Sequence, residues 1–254
     1  MPYRFAQPVI TTDDDVPTRA NAADPAVYIA DALPPQLCRR LAGTVLAAHL
    51  QGHSWQSRTR YGGGEQTGWD VDRQFRSSRN ISPTLPGLEQ AYAIMDGHAR
   101  KALPMLGLQT DMGLQRVDEQ CLIYIPGDHI GDHADDAASY LDEEGILAWH
   151  VIKPERHVAS VLWLTECTPE GSGELEFAGG ELRFNSLLDI DTGAPLTIRP
   201  KAGQMVVFPA SAWFRHEVLT VTAGLRLAMT RWWRVVPVTA SSRATHASGT
   251  AVTA

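Results

Sequence analysis

The chain has 254 residues, enough for one large β domain or two small ones, and its 44% hydrophobic and 20% charged residues suit a protein that buries a core. Its formal net charge is −7 and no run of Lys or Arg stands out. That argues against broad nucleic-acid binding, which draws its affinity from cations that displace phosphate counterions. No stretch approaches the ~18 apolar residues of a membrane span, and the first residues lack the apolar segment of a secretory signal. Cys38, Cys121 and Cys167 show no metal-type spacing. The expectation is therefore a cytoplasmic protein with reduced thiols, bound neither to membrane nor to nucleic acid, and a monomer or homodimer.

Residues 1–25 are polar and punctuated by proline, and read as an arm. Tyr28 to Leu33 reads as a strand. Pro34-Pro35 then suits the first turn of a helix, where a missing N–H costs nothing. Leu37, Leu41, Val45, Leu46 and Leu50 recur at mostly four-residue spacing and predict an amphipathic helix to about Leu50. A second helix is predicted from about Gly87 to Leu103, carried by Leu88, Tyr92, Met95 and Ala99 and bounded by Pro86 and Pro104. The intervening stretch, His53 to Arg79, contains Gly62-Gly63-Gly64 and reads as loops and short strands.

From Glu119 onward, short β-rich runs are separated by turn residues: Cys121–Ile125, His157–Thr165, Glu181–Phe184, Leu196–Arg199, Met205–Phe208, Glu217–Val221 and Leu225–Val235. Strands at this spacing without intervening helices predict a sandwich or barrel. The expected fold class is α+β, mainly β. Its core would be a double-stranded β-helix (jelly roll, cupin-like) over about 119–236, with the N-terminal helices packed outside. One domain over 26–236 is expected, followed by a flexible tail, rich in Ser, Thr and Ala, over 237–254.

The chemistry-bearing pattern begins at Tyr124, where a strand runs into Pro126-Gly127 and is followed by His133-Ala134-Asp135. On an extended chain residues i and i+2 point the same way, so the imidazole and the carboxylate can converge on one ion. His216 follows 83 residues later, after the turn-like Pro209–Arg215. Two histidines and one carboxylate on one face of an octahedron leave three open positions, which suits non-haem Fe(II). Ten residues beyond His216 stands Arg226, which shares one face of an extended chain with Ala228, Thr230 and Trp232. An arginine among so many apolar residues needs an anion. A bidentate carboxylate ligand is the natural one, and an internal salt bridge or an outward-facing, solvated arginine stands level with it.

Taken together, these residues resemble the prolyl 4-hydroxylase-like branch of the 2-oxoglutarate/Fe(II) oxygenases. The resemblance spans about Val27 to Val235. It rests on Tyr124-X-X-Gly127-Asp128, His133-X-Asp135, the strand from Arg156 to Thr165, Gly179-Gly180-Glu181-Leu182, Pro200 to Pro209, His216 and Arg226, in that order. It implies an oxidoreductase, a dioxygenase that uses Fe(II), 2-oxoglutarate and O2 to hydroxylate an unactivated C–H bond and releases succinate and CO2. His133, Asp135 and His216 would hold the iron. Arg226 would grip the distal carboxylate of 2-oxoglutarate, assisted by Tyr124 and Thr230.

Trp163 stands where many relatives carry a tyrosine that bonds the co-substrate, so it either reshapes that pocket or simply packs. Asp135 stands where related halogenases carry a small residue, and favours hydroxylation. The resemblance makes Arg76 and Arg79 candidates for the substrate mouth, although exposure is the commoner fate of such side chains. Residues 136–155 read as a long loop that closes over the substrate through Tyr140 and Trp149. The expected substrate is a small molecule, an amino acid or a natural-product intermediate. Prolines of a peptide or protein are the alternative, and a metal-binding jelly roll without oxygenase activity is the minor one.

Overall fold

The computed structural model describes residues 3–10, 26–61, 68–108 and 112–237. The predicted Gly62-Gly63-Gly64 loop and almost all of the C-terminal tail lie outside the described residues. Helix α1 runs Pro35–Leu50, with proline in its first turn, and helix α2 runs Leu88–Ala102. Gly87, just before α2, takes a left-handed φ of 89° that sets the direction of approach. No described helix is long and apolar enough to cross a membrane.

Two sheets form the body. The larger has the order Tyr28–Asp31, Gln204–Pro209, Val158–Trp163, Arg226–Pro237, Met112–Tyr124, Arg79–Ile81, Ser54–Gln56. The smaller runs Tyr3–Phe5, Leu182–Asp189, His216–Val218, Ile130–His133, and Pro195–Ile198 also pairs with Leu182–Asp189. All these pairings are antiparallel. The result is the expected mainly-β fold, a jelly-roll core with few helices.

Side-chain alternation along the strands explains the layering. Leu227 and Met229 face outward and join Cys121, Ile123, Leu162 and the apolar stripes of α1 and α2 in one core. Ala228 and Trp232 face inward with Leu122, Tyr124, Val161 and Trp163, between the two sheets. A one-residue slip would exchange these sets, so burying both faces fixes the register. Buried Arg231 rivets α2 to the outer face. It donates to Asp96 at 2.9 Å, contacts Glu119 more closely still, and lies over the Tyr92 ring. Trp233 Nε1 also donates to Asp96, at 2.9 Å.

Two expectations need correction. Within the predicted arm, residues Tyr3–Phe5 and Val9–Ile10 are strands, paired with Leu182–Asp189 and Leu147–Val151. Residues 136–155 are not a long loop but mostly a β-hairpin, Ala137–Leu141 with Leu147–Val151, in which Val9–Ile10 forms a third, parallel strand. The reason is alternation: Ala137 and Trp149 share one face of the hairpin and turn inward, and Trp149, only 2% exposed, packs on Ala134, Ala137 and Ala212. An apolar core of its own gives the segment a fixed shape.

Candidate active site

The strands Ile130–His133 and His216–Val218 lie side by side, with His133 opposite His216. This register brings the imidazole centroids to 4.4 Å. Asp135 lies two residues beyond the first strand. Its N–H and that of Asp136 both donate to Ala210 O at 3.1 Å, which folds the chain back towards the histidines. One ligand atom from each of His133, Asp135 and His216 lies within 4.8 Å of the others, and His133 Nε2 is 3.9 Å from Asp135 Oδ1. No other such group occurs among the described residues.

Nδ1 of His133 donates to Gly131 O at 2.8 Å, and Nδ1 of His216 donates to Phe214 O at 3.0 Å. Each bond fixes the tautomer that leaves Nε2 bare, as a metal ligand requires. Burial, aided by the neighbouring His216, lowers the His133 pKa to about 3, so this imidazole is neutral at physiological pH. The donor set and its open side fit Fe(II).

The triad opens into a cavity of about 350 Å³, whose wall includes Arg226, Ala228, Thr230 and Trp232. The shared face predicted for these four is thus the face that meets the cavity. Arg226 is 1% exposed. Its Nε donates to Gly180 O at 2.9 Å, its guanidinium carbon lies 4.6 Å from the centre of the Tyr124 ring, and its Nη2 has no partner. Burial weakens its hold on the proton, which Tyr124 partly restores, but a guanidinium stays charged.

Arg231 on the same strand supplies the comparison. That buried arginine has two carboxylates, whereas Arg226 forms no ion pair among the described residues. The orphaned Nη2, with Thr230 Oγ1 also unpartnered, fits the carboxylate end of 2-oxoglutarate. Gly180 makes the close approach possible: a Cβ there would lie 3.0 Å from Arg226 Cδ and 2.9 Å from Val221 Cγ2.

The other predicted residues divide. Tyr124, Arg76 and Trp149 line the cavity. Trp163, fully buried in the inter-sheet core, does not border the cavity, and its Nε1 has no partner. Arg79 turns away to meet Asp128 at 2.7 Å, a buried carboxylate that also caps Ile125 N. Tyr140 stays 40% exposed on the outer face of the hairpin.

Arg156, in the sequence only the start of a strand, has a further place in the structure. It stacks 4.0 Å over Trp232, donates to Asp135 O at 3.1 Å and pairs with Asp118 at 2.7 Å. Gln120 and Lys153 also reach the cavity unforeseen. Strand alternation gave a usable signal for Gln120, which stands opposite Thr230. For Arg156 only the fold brings Asp118 and Asp135 together.

A model of the 2OG-Fe(II) oxygenase superfamily matches residues 120–234. Among solved structures, a prolyl-4-hydroxylase from Pseudomonas putida is 26% identical, covering 82% of this chain and 92% of its own, with a TM-score of 0.54. A prolyl hydroxylase from Trichoplax adhaerens, solved with a peptide fragment of the hypoxia inducible factor oxygen degradation domain, is 16% identical. It covers 82% of this chain and 83% of its own at a TM-score of 0.58, a likeness of fold. No curated protein sequence matches the chain. The chain is thus similar to the prolyl 4-hydroxylase-like 2-oxoglutarate/Fe(II) oxygenases, and with a His-Asp-His cluster and a buried arginine without an ion pair on one cavity it is a dioxygenase that uses Fe(II), 2-oxoglutarate and O2.

Proposed function

We propose that this dioxygenase hydroxylates an unactivated C–H bond of a small molecule, such as an amino acid or a natural-product intermediate. In this reading His133, Asp135 and His216 hold the iron, and Arg226 with Thr230 and Tyr124 holds the distal carboxylate of 2-oxoglutarate. Bound iron and co-substrate supply an oxidant strong enough to break a C–H bond, with release of succinate and CO2. The chain's part is to orient and to exclude. The Nδ1 bonds aim both imidazoles, Ala210 and Arg156 hold the backbone that carries Asp135, and Trp232 and Trp149 wall the reacting space from water.

The observation that carries the small-molecule reading is the cavity of about 350 Å³, at the lower end for ligand sites and shared with the co-substrate. One flank is the hairpin of residues 137–151, tied to the body by Trp149. The likeness to the Pseudomonas putida prolyl-4-hydroxylase favours a second reading, hydroxylation of prolines in a peptide or protein. The test is succinate release coupled to product, measured with free amino acids and small acids on one side and proline-containing peptides on the other. Coupling with peptides alone rejects the small-molecule reading.

A further inference from the structure

Phe75, Arg76 and Ser77 are zipped onto the strand that leads to His133. Gly131 N–H donates to Phe75 O at 2.7 Å, Ser77 N–H donates to His129 O at 3.1 Å, and Arg76 bridges Ile130. Gly131 favours this approach, since a Cβ there would lie 3.0 Å from the Phe75 ring and press it aside. The Phe75 ring in turn meets His133 edge-on, with centroids 6.4 Å apart. The Arg76 backbone is thereby fixed beside the metal-ligand strand.

Its side chain is fixed as well. Nε donates to Ser78 Oγ at 3.0 Å and Nη2 donates to Gln120 Oε1 at 3.1 Å. Both acceptors are neutral, and Arg76 forms no ion pair among the described residues although it lines the cavity. The other charges on the cavity wall are largely matched. Arg156 and Lys153 meet Asp118 at 2.7 and 3.8 Å, Lys153 also meets Glu155 at 3.7 Å, and Asp132 meets Arg215 at 2.8 Å. The anionic group that acts on Arg76 from within the cavity is Asp135, whose charge the iron takes. In the loaded site the two positive charges of iron and that of Arg226 cancel the negative charges of Asp135 and 2-oxoglutarate. Arg76 is then left over, a preorganised guanidinium whose Nε and Nη2 bonds both end on neutral acceptors.

We infer that the substrate is a carboxylic acid, and that Arg76 binds its carboxylate and so sets which C–H bond faces the iron. This rests on the reading that His133, Asp135, His216 and Arg226 hold iron and 2-oxoglutarate. A guanidinium held by neutral acceptors beside a cavity gains from an anion what water no longer fully supplies. Arg58, exposed at the same cavity, adds a second positive charge at its mouth. The carboxylate can belong to a free small acid or to the C-terminus of a peptide, and the test separates the two.

The experiment is calorimetric titration of the anaerobic, Fe(II)- and 2-oxoglutarate-loaded chain. One arm is a panel of amino acids and small monocarboxylic acids, each beside its primary amide. The other is proline-containing peptides with free or amidated C-termini. At least one carboxylate should bind about tenfold or more tighter than its own amide, the span of one charge-assisted hydrogen bond. Arg76→Gln should shrink that gap to about threefold or less, and Arg76→Lys should keep part of it.

A gap seen with free acids assigns the carboxylate to a small molecule, and one seen only with peptides assigns it to a chain end. The inference is overturned if acids bind no better than amides, if no carboxylate binds, or if the gap survives in Arg76→Gln. The acid–amide comparison in the wild-type chain stands even if a variant fails to fold. A wild-type chain that binds no 2-oxoglutarate overturns the underlying reading and the inference with it, whereas failure of the Arg76 role alone leaves 2-oxoglutarate binding intact.

Discussion

Replacing Arg226 by Lys keeps a positive charge on the strand but removes the fork. In the native side chain Nε serves Gly180 O at 2.9 Å while Nη2 is left for a ligand. A single ammonium cannot match both at those positions. The loss is about one charge-assisted hydrogen bond, on the order of 1.5–3 kcal/mol, or roughly ten- to a hundredfold in 2-oxoglutarate affinity. Arg226→Met removes the charge as well and should cost at least as much. Both are measured by calorimetry with Mn(II) in place of iron, which keeps the complex from turning over.

Thermal unfolding gives an independent readout. A ligand that binds only the folded chain stabilises it by about 2.7 kcal/mol at a hundred times its Kd. Wild type should therefore melt higher with Mn(II) and 2-oxoglutarate, and Arg226→Met should show little of that co-substrate-dependent rise. Affinity within about threefold of wild type in Arg226→Lys, with an unchanged thermal shift in Arg226→Met, would place the distal carboxylate elsewhere. Were Arg226 part of a structural ion pair instead, Arg226→Met would destabilise the ligand-free chain by about 3–5 kcal/mol, as loss of Arg231's partners should.

Ala at His133, Asp135 or His216 should abolish tight Fe(II) binding and succinate release, because each removes a donor; equilibrium dialysis of iron with full retention would remove that residue from the set. Asp135→Gly should end hydroxylation, checked by product analysis with and without added chloride, and continued turnover would show that Asp135 is not the carboxylate ligand. Gly131→Ala should cost about 1–3 kcal/mol in chemical denaturation, because the new Cβ meets the Phe75 ring at 3.0 Å, and an unchanged midpoint would show that the ring gives way freely. Trp149→Ala should destabilise by about 3–5 kcal/mol and raise the ratio of succinate to product, since it hollows the hairpin's anchor and opens a cavity wall. A ratio equal to wild type would show that the hairpin does not shield the reacting space.

The β-rich texture and both helices were legible because they rest on periodicity. The four-residue stripe of Leu37, Leu41 and Val45 and the alternation of Arg226, Ala228, Thr230 and Trp232 each reflect burial of one face. The His133–Asp135 pair and His216 were legible as donor types, but their meeting depends on a strand pairing across 83 residues that no local pattern encodes. The hairpin within residues 136–155 is not legible because an acidic turn, Asp142-Glu143-Glu144, and exposed Leu141 and Leu147 mask the inward Ala137 and Trp149. Arg79 and Arg76 are equal candidates for the substrate mouth, because nothing local distinguishes them. Only the fold brings Asp128 to one and leaves the other with neutral partners.

The most direct test is a crystal structure of the full chain grown without oxygen in Mn(II) and 2-oxoglutarate. The account predicts a metal bound by Nε2 of His133, Nε2 of His216 and a carboxylate oxygen of Asp135, with the far carboxylate of 2-oxoglutarate on Arg226 Nη2 and Thr230 Oγ1. A metal held by other residues, or a 2-oxoglutarate whose far carboxylate lies away from Arg226, would contradict it.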